Sequence, residues 1–586
     1  MKNNFRKIFF YTIVLGAIAI LIWPRMPGLA QETNTLGTIY GRTIDTQNQP
    51  VRNAHVYLQF ERDGDTLAET TTQKNGSFAL AVPDTFMYGN PEIETGQTPL
   101  QTVDYLNDTL ILQIERPHFQ STEIEIDRGF VEVLKSGGSI SLADTLMIRH
   151  ISAAFWIATA IFVFVLVIIA TGKLHNTLAA LLGASLIYGV SYLGHPIYEG
   201  LFIFDFATSI DYIDWNVIFL IMGMMIVIAV VERTGIFQWL AFFAYRISRG
   251  KVLVLLPILM IITGLASAFL DNVTTMLLMT PITIQIAIAM GVNPLAFLIP
   301  EVMASNVMGI STLIGTPTNI LIGSYGKLSF NDFLVNLTPG VLLAIVGLII
   351  YSNIIYRKEL AAAREASPFL MEQLATRGKI TQPSHLKKAG WVGLGMLLLF
   401  MFGEKVHLLP AVTALIGATA LMVWIQPDIE EMIEAVDWTT LVFFMALFIT
   451  VGAVQEVGLI SFIADFIGNL VGEKLTLAML VVIWFSAVLS TVVANIPFTA
   501  AMLPVIGYLT ATIPGAHSNA LFYCISVGSA LGGNGSLIGA SANMVTSGIS
   551  ERAGYPITYV YFLKKGFPAL LITVGLATIW LLIRFL

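Results

Sequence analysis

Apolar residues occur in long unbroken stretches from Ile151 onward: 151–170, 177–193, 216–231, 252–290, 295–325, 340–356, 389–402, 410–426, 438–453, 475–510, 520–548 and 567–584. Stretches of about 20 apolar residues are the length of a membrane-crossing helix. Segments 252–290 and 475–510 are almost twice that length, and each carries polar residues and a proline near or just past its centre. Segments 295–325 and 520–548 are interrupted by glycine, serine, threonine and asparagine. The first pair reads as re-entrant hairpins and the second as broken helices, because irregular backbone at membrane depth is tolerated only inside protein or along a cavity.

Residues 31–147 follow a different pattern: short alternating segments such as "TIYGRTI", "AHVYLQF" and "SFALAVP", separated by turn formers such as "DTQNQP" and "QKNG". A small β-sandwich is expected there. Ahead of it, Lys2, Arg6 and Lys7, an apolar run from Ile8 to Trp23, and small Gly28 and Ala30 have the anatomy of a signal peptide or anchor. The sandwich is therefore expected outside the membrane.

The chain aligns with itself. "DWNVIFLIMGMMIVIAVVERTGIF" at Asp214 matches "DWTTLVFFMALFITVGAVQEVGLI" at Asp437; Gly235, Asn272 and Pro281 then meet Gly458, Asn495 and Pro504. After one inserted residue, Ser305, Gly309, Gly315 and Asn319 meet Ser529, Gly533, Gly539 and Asn543. Agreement held in register over such a distance indicates two homologous halves. The expected organisation is a signal peptide or anchor at 1–30, an extracytoplasmic β-sandwich at 31–147, a first repeat at 148–356, a cytoplasmic linker at 357–388 and a second repeat at 389–586. Five crossings per half make the second repeat inverted. The fold class expected is an all-α polytopic membrane protein with inverted five-helix repeats, two re-entrant hairpins and two broken helices. Lys173, Arg233, Arg246, Arg249, Lys251, the basic residues of 357–388, Arg552, Lys564 and Lys565 then fall on the cytoplasmic side, as the positive-inside rule requires.

Composition agrees and excludes alternatives. Of 586 residues, 56% are hydrophobic and 12% charged. This is unsuited to a water-exposed surface. The net charge of −7, without a basic aromatic-interleaved segment, gives no nucleic-acid partner. The single Cys524 and eight scattered histidines provide no metal cluster, so no metal or other cofactor is expected beyond Na+ or H+ as coupling ion. No nucleophile, base and oxyanion set can be assembled, so no enzyme is expected.

Asp271 is the charge that stands out, because a carboxylate at mid-membrane costs roughly 2.5–3.5 kcal/mol on insertion scales. With Asn272 and Thr274 it forms one hairpin tip, and Asn495 and Thr499 belong to the other. The broken helices add Ser305, Asn306, Gly309, Ser311, Thr312, Gly315 and Asn319 from the first half, and Gly533, Asn534, Gly535, Ser536, Gly539 and Asn543 from the second. Oxygens of such breaks suit a cation, and half-helix N-termini suit an anion.

"SAFLDNVTTMLLMTP", "LIGTPTN", "ANIPFTAAMLPV" and "ALGGNGSLIGASANMVTSGISERAGY" resemble the ion transporter superfamily of arsenite permeases, NhaD-type sodium/proton antiporters and citrate or dicarboxylate transporters, nearest the melanosomal P protein branch. The resemblance spans about 150–586 and implies a secondary transporter, a homodimer in the plasma (inner) membrane, and hairpins meeting at mid-membrane. A passive anion channel is the alternative it leaves open, and a membrane receptor with a ligand-sensing N-terminal domain is the third. Relatives read "DNIPFT" and "IGDPPN" where this chain has Ala494 and Thr316-Pro317-Thr318, which leaves Asp271 as the principal carboxylate expected in the site. The segment "GTIYGRTIDTQNQPVRNAHVYLQFERDGDTLAETTTQKNGSFALAVP" resembles the carboxypeptidase regulatory-like, transthyretin-like domain, which implies binding or spacing and no chemistry of its own.

Overall fold

A computed structural model describes residues 35–46, 48–60, 66–83, 110–361 and 378–586. The signal-peptide reading and half of the linker, 362–377, lie outside them. The chain divides into two units, Met1–His150 and Ile151–Leu586.

In the first unit the alternating segments form strands. β1 (Thr35–Asp45), β4 (Ser77–Pro83), β7 (Ser139–Ser141) and β8 (Thr145–Met147) make one sheet; β2 (His55–Phe60), β3 (Thr66–Thr71), β5 (Leu110–Glu115) and β6 (Thr122–Ile126) make another, in the order β3-β2-β5-β6. β1 pairs antiparallel with β4 and parallel with β7 and β8. Alternate residues point to a shared apolar cluster, Ile39 and Leu80 from one sheet and Val56, Leu58, Leu112 and Ile114 from the other. The turn before β4 needs Gly76: its φ is +76°, and a Cβ there would meet the Thr43 carbonyl oxygen at 2.4 Å. An amphipathic helix, α1 (Arg128–Lys135), precedes β7.

The second unit is helical. In chain order it comprises α2 (Ala153–Thr171), α3 (Asn176–Gly189), α4 (Trp215–Glu232), α5 (Ile236–Ser248), α6 (Val252–Phe269), α7 (Asn272–Ala289), α8 (Leu295–Gly309), α9 (Pro317–Gly326) and α10 (Phe330–Ile355). After the linker follow α11 (Pro383–Phe402), α12 (Pro410–Ile425), α13 (Trp438–Glu456), α14 (Leu459–Val471), α15 (Leu475–Val492), α16 (Asn495–Thr512), α17 (Ala520–Gly532), α18 (Ser541–Arg552) and α19 (Tyr559–Phe585). Among the described residues, ten helices are long and apolar enough to cross a membrane. This is a polytopic membrane protein.

The halves correspond element by element. α5 and α14 have 13 residues each and both follow a left-handed glycine, Gly235 and Gly458; α6, α7, α15 and α16 have 18 each. Packing repeats too. Within each half the first hairpin arm lies against the first segment of the broken helix, α6 on α8 and α15 on α17. Between halves the partners cross over: α7 packs on α18 and α16 on α9, while α4 packs on α12 and α3 on α13. Exchanging the halves turns each of these pairs into the other.

The α15–α17 contact is close because Gly528 has no side chain: a Cβ would sit 2.5 Å from the Ile483 carbonyl oxygen. Overpacking of this kind costs about 1–3 kcal/mol. Gly528→Val is therefore expected to lower the thermal midpoint of the detergent-solubilised protein. Gly548→Ala, whose Cβ would meet only Arg552 Nη1 at 3.9 Å, is expected to leave it unchanged. Equal midpoints for Gly528→Val and the parent would contradict the packing.

Candidate functional site

Both broken helices stop at the same chemistry. Between α8 and α9, Thr312 Oγ1 donates to the Ala268 carbonyl at the hairpin end and accepts from Gly315 N (3.1 Å). Asn319 Nδ2 donates to the carbonyls of Thr312 (2.8 Å) and Ile310 (3.0 Å). Between α17 and α18, Ser536 Oγ donates to the Thr491 carbonyl (2.5 Å) and accepts from Gly539 N (3.2 Å). Asn543 Nδ2 donates to the carbonyls of Ser536 (2.9 Å) and Gly533 (2.7 Å). One hydroxyl and one carboxamide thus satisfy the backbone that each break strands away from water. Gly315 and Gly539 let the strands touch: a Cβ on them would lie 2.3 Å from the Gly309 oxygen and 2.9 Å from the Ser490 oxygen.

The two breaks are joined by asparagines. Asn272 Nδ2 donates to Asn306 Oδ1 (2.8 Å), and Asn306 Nδ2 donates to Asn534 Oδ1 (2.9 Å) and Asn543 Oδ1 (3.1 Å). Asn319 Oδ1 accepts from Ser526 Oγ of the other half (2.6 Å). The network is buried throughout. Ser305 Oγ donates to Ser267 Oγ (2.9 Å), and Ser311 Oγ donates to the Met308 carbonyl (2.6 Å). Thr499 Oγ1 donates to the Asn495 carbonyl of its own helix (2.7 Å), while Asn495 N donates to the Gly539 carbonyl (3.3 Å). Gly535 packs tightly on Thr491. In this conformation Thr312, Ser536, Asn319 and Asn543, expected as ligands, act as braces.

Asp271 is placed differently. It caps α7, with Oδ1 accepting from Thr274 N (2.9 Å) and Oδ2 from Thr274 Oγ1 (2.5 Å). Asp271 and Thr274 line a cavity of about 530 Å³. Asp437, at the start of α13, lines the same cavity and is held the same way, by Thr440 N (3.1 Å) and Thr440 Oγ1 (2.5 Å). Asp271 is partly buried and Asp437 exposed.

The cavity collects helix beginnings. His175 (α3), Asp271 (α7), Pro317 (α9), Asp437 (α13), Ile496 (α16) and Ser541 (α18) all line it, each within one residue of its helix N-terminus. The free N–H groups and partial positive charge of such ends favour an anion. Two of the six ends carry an acid. At α16 the capping position is Ala494, which offers no side-chain hydrogen bond.

Residues the sequence reading did not select also reach this wall: His175, Asn176, Thr177, Glu232, Asp437, Thr439, Thr440 and Ser541. The Asp-x-x-Thr spacing shared by Asp271–Thr274 and Asp437–Thr440 was the available signal. A second cavity of about 410 Å³ lies toward the opposite end of α4. Asn216, Val217 and Leu220 line that one, and Ile221, Met224, Met225, Ile228, Ala229 and Glu232 line the first; Ile320 belongs to both.

Comparison with known proteins places this architecture. The citrate transporter family model matches residues 164–522. An uncharacterized transporter of Mycobacterium tuberculosis (strain ATCC 25618 / H37Rv) is 35% identical over 432 residues, 73% of this chain and 98% of the relative. The 46 kDa membrane protein of Mycobacterium leprae (strain TN) is 35% identical over 431 residues, 73% and 99% of the two chains. The P protein of Homo sapiens is 31% identical over 505 residues, 73% of this chain and 59% of its own. The solved YdaH transporter of Alcanivorax borkumensis shares the fold, with a TM-score of 0.50 at 14% identity over 70% of this chain and 98% of that one. The chain belongs to the citrate transporter family of membrane transporters.

Proposed function

We propose that the protein is a secondary active transporter of a small organic anion, coupled to H+ or Na+, working by alternating access. The observation that carries this is the convergence of six helix N-termini on one cavity that also holds the partly buried carboxylate Asp271. Helix ends attract the anion, and the carboxylate takes the coupling cation. The anion binds among the α9, α16 and α18 ends, which carry no charged cap. Asn272 and Asn495 hold the two tips in register around it.

Support for inverted repeats with re-entrant hairpins comes from where the tips sit. Asn272 and Asn495 bond to residues at or beside the helix breaks, not at the far helix ends, so each hairpin turns back at the level of the breaks. Under the charge-based orientation the larger cavity opens to the cytoplasm, and the N-terminal unit, a β-sandwich of spacing or ligand-holding type, is extracytoplasmic. A homodimer in the plasma membrane completes the reading.

The test is uptake into proteoliposomes of citrate, other small anions, arsenite and sodium under imposed pH or sodium gradients. Coupled accumulation is expected; current that reverses at the anion's equilibrium potential with no cation dependence would identify a channel instead. Asp271→Asn is expected to abolish gradient-driven accumulation, and unchanged accumulation would remove Asp271 from the coupling role. Asn495→Ala is expected to impair transport, and wild-type rates in it would rule against a site shared by both tips. Ala494→Asp, which adds an acid at the α16 end, is expected to raise the KM for the anion about tenfold, ~1.4 kcal/mol; an unchanged KM would place the anion elsewhere.

A further inference from the structure

The described membrane unit contains a second acid at depth. Glu301, in the middle of α8, is 0% exposed. Its Oε1 accepts a hydrogen bond from Thr263 Oγ1 of α6 (2.5 Å), and its Oε2 has no partner. The Thr283 hydroxyl of α7 lies beside the same carboxyl and is also buried without a partner. No cation is at hand. α6 and α7 carry no titratable side chain. The other elements packed on α8 carry Asp332 and Tyr351 (α10), Tyr523 and Cys524 (α17), Glu551 and Arg552 (α18), and Tyr559, Tyr561, Lys564, Lys565 and Arg584 (α19); none is hydrogen-bonded or ion-paired to Glu301.

An isolated carboxylate in such a place is strongly disfavoured, since burial of an unpaired charge costs several kcal/mol or more. The neutral acid fits the surroundings. A protonated carboxyl has an O–H to give, and the unpartnered Thr283 hydroxyl beside it is an acceptor for that proton, while the other carboxyl oxygen already accepts from Thr263. Two hydroxyls and one carboxyl are too few oxygens for a metal ion. The ligand that fits is a proton.

Position gives the proton a use. Glu301 shares α8 with Asn306, the residue that links the Asp271 hairpin tip to the second half, and its two hydroxyl neighbours come one from each arm of that hairpin. A movement of the hairpin against α8 therefore opens or closes the carboxyl's surroundings. We propose that Glu301 is a second proton-binding site of the transport cycle: it is protonated in the conformation seen here and releases its proton to water when hairpin and α8 separate. This rests on the reading of the chain as a proton-coupled transporter.

Infrared difference spectroscopy of the liposome-reconstituted protein tests it without any substrate. The protonated-carboxyl C=O band is expected in the wild type and in Asp271→Asn, to disappear reversibly as pH is raised, and to be missing in Glu301→Gln. In the same liposomes, Glu301→Gln is expected to keep citrate exchange but lose pH-gradient-driven citrate accumulation by about tenfold or more. Absence of the band, a band that does not titrate, or wild-type accumulation in Glu301→Gln would overturn the proposal. Thr283→Val keeps the acid and removes its acceptor, so the band should move to higher frequency even if the glutamine variant misfolds; an unmoved band would also overturn it. The band reports Glu301 alone, whereas loss of coupling in Asp271→Asn reports the first site, so the two readings fail separately.

Discussion

A helix that breaks inside a membrane leaves backbone N–H and C=O groups with no water to meet them, and this architecture depends on how that debt is met. The answer is the same in both halves: a Thr or Ser hydroxyl bridges to the end of the neighbouring hairpin arm, and an Asn carboxamide spans two carbonyls of the break. Because the hydroxyl bonds reach the residues just before each tip, the braces fix hairpin and break to one another. Asn306 then ties the two braced units together.

Electrostatics follow from that geometry. Bracing lets helices begin beside the breaks, so their positive ends face a cavity. The acids Asp271 and Asp437 cap two of these ends, whereas Ala494 gives the α16 end no side-chain cap. The halves share a backbone plan and differ in charge. A duplicated fold thereby presents an asymmetric site.

Much of this is legible in the sequence. Apolar run length marked the membrane-length helices, the in-register repeat marked the correspondence of halves, and "FLDNVTT" marked the junction where one helix ends and the next begins, because a charge in an apolar run must have a local explanation. The roles within the site were less legible. Asn319 and Asn543 are equally polar whether they hold a ligand or a carbonyl, and only the fold shows which groups are within reach. Asp437 read as the marker of a repeat, since nothing in sequence brings it to the cavity of Asp271. Glu301, within "LIPEVMASN", obeys the same rule as Asp271, but its counterpart in the alignment is Ile525, so the repeat gives no echo of it. Strand positions in the first unit followed from alternation, whereas the parallel pairing of β1 with β7 and β8 is a long-range choice that alternation does not encode.

Ile320 borders both cavities, and along α4 the wall passes from one cavity to the other between Leu220 and Ile221. Solvent entering from the two sides would therefore be separated by an apolar layer far thinner than the bilayer. Voltage drops where the dielectric is low, so an energised membrane would apply most of its potential across that layer, worth roughly 2.3 kcal/mol per elementary charge per 100 mV. A charge crossing only this short distance would then sense nearly the whole membrane potential, and a small displacement would be enough to make the cycle electrogenic.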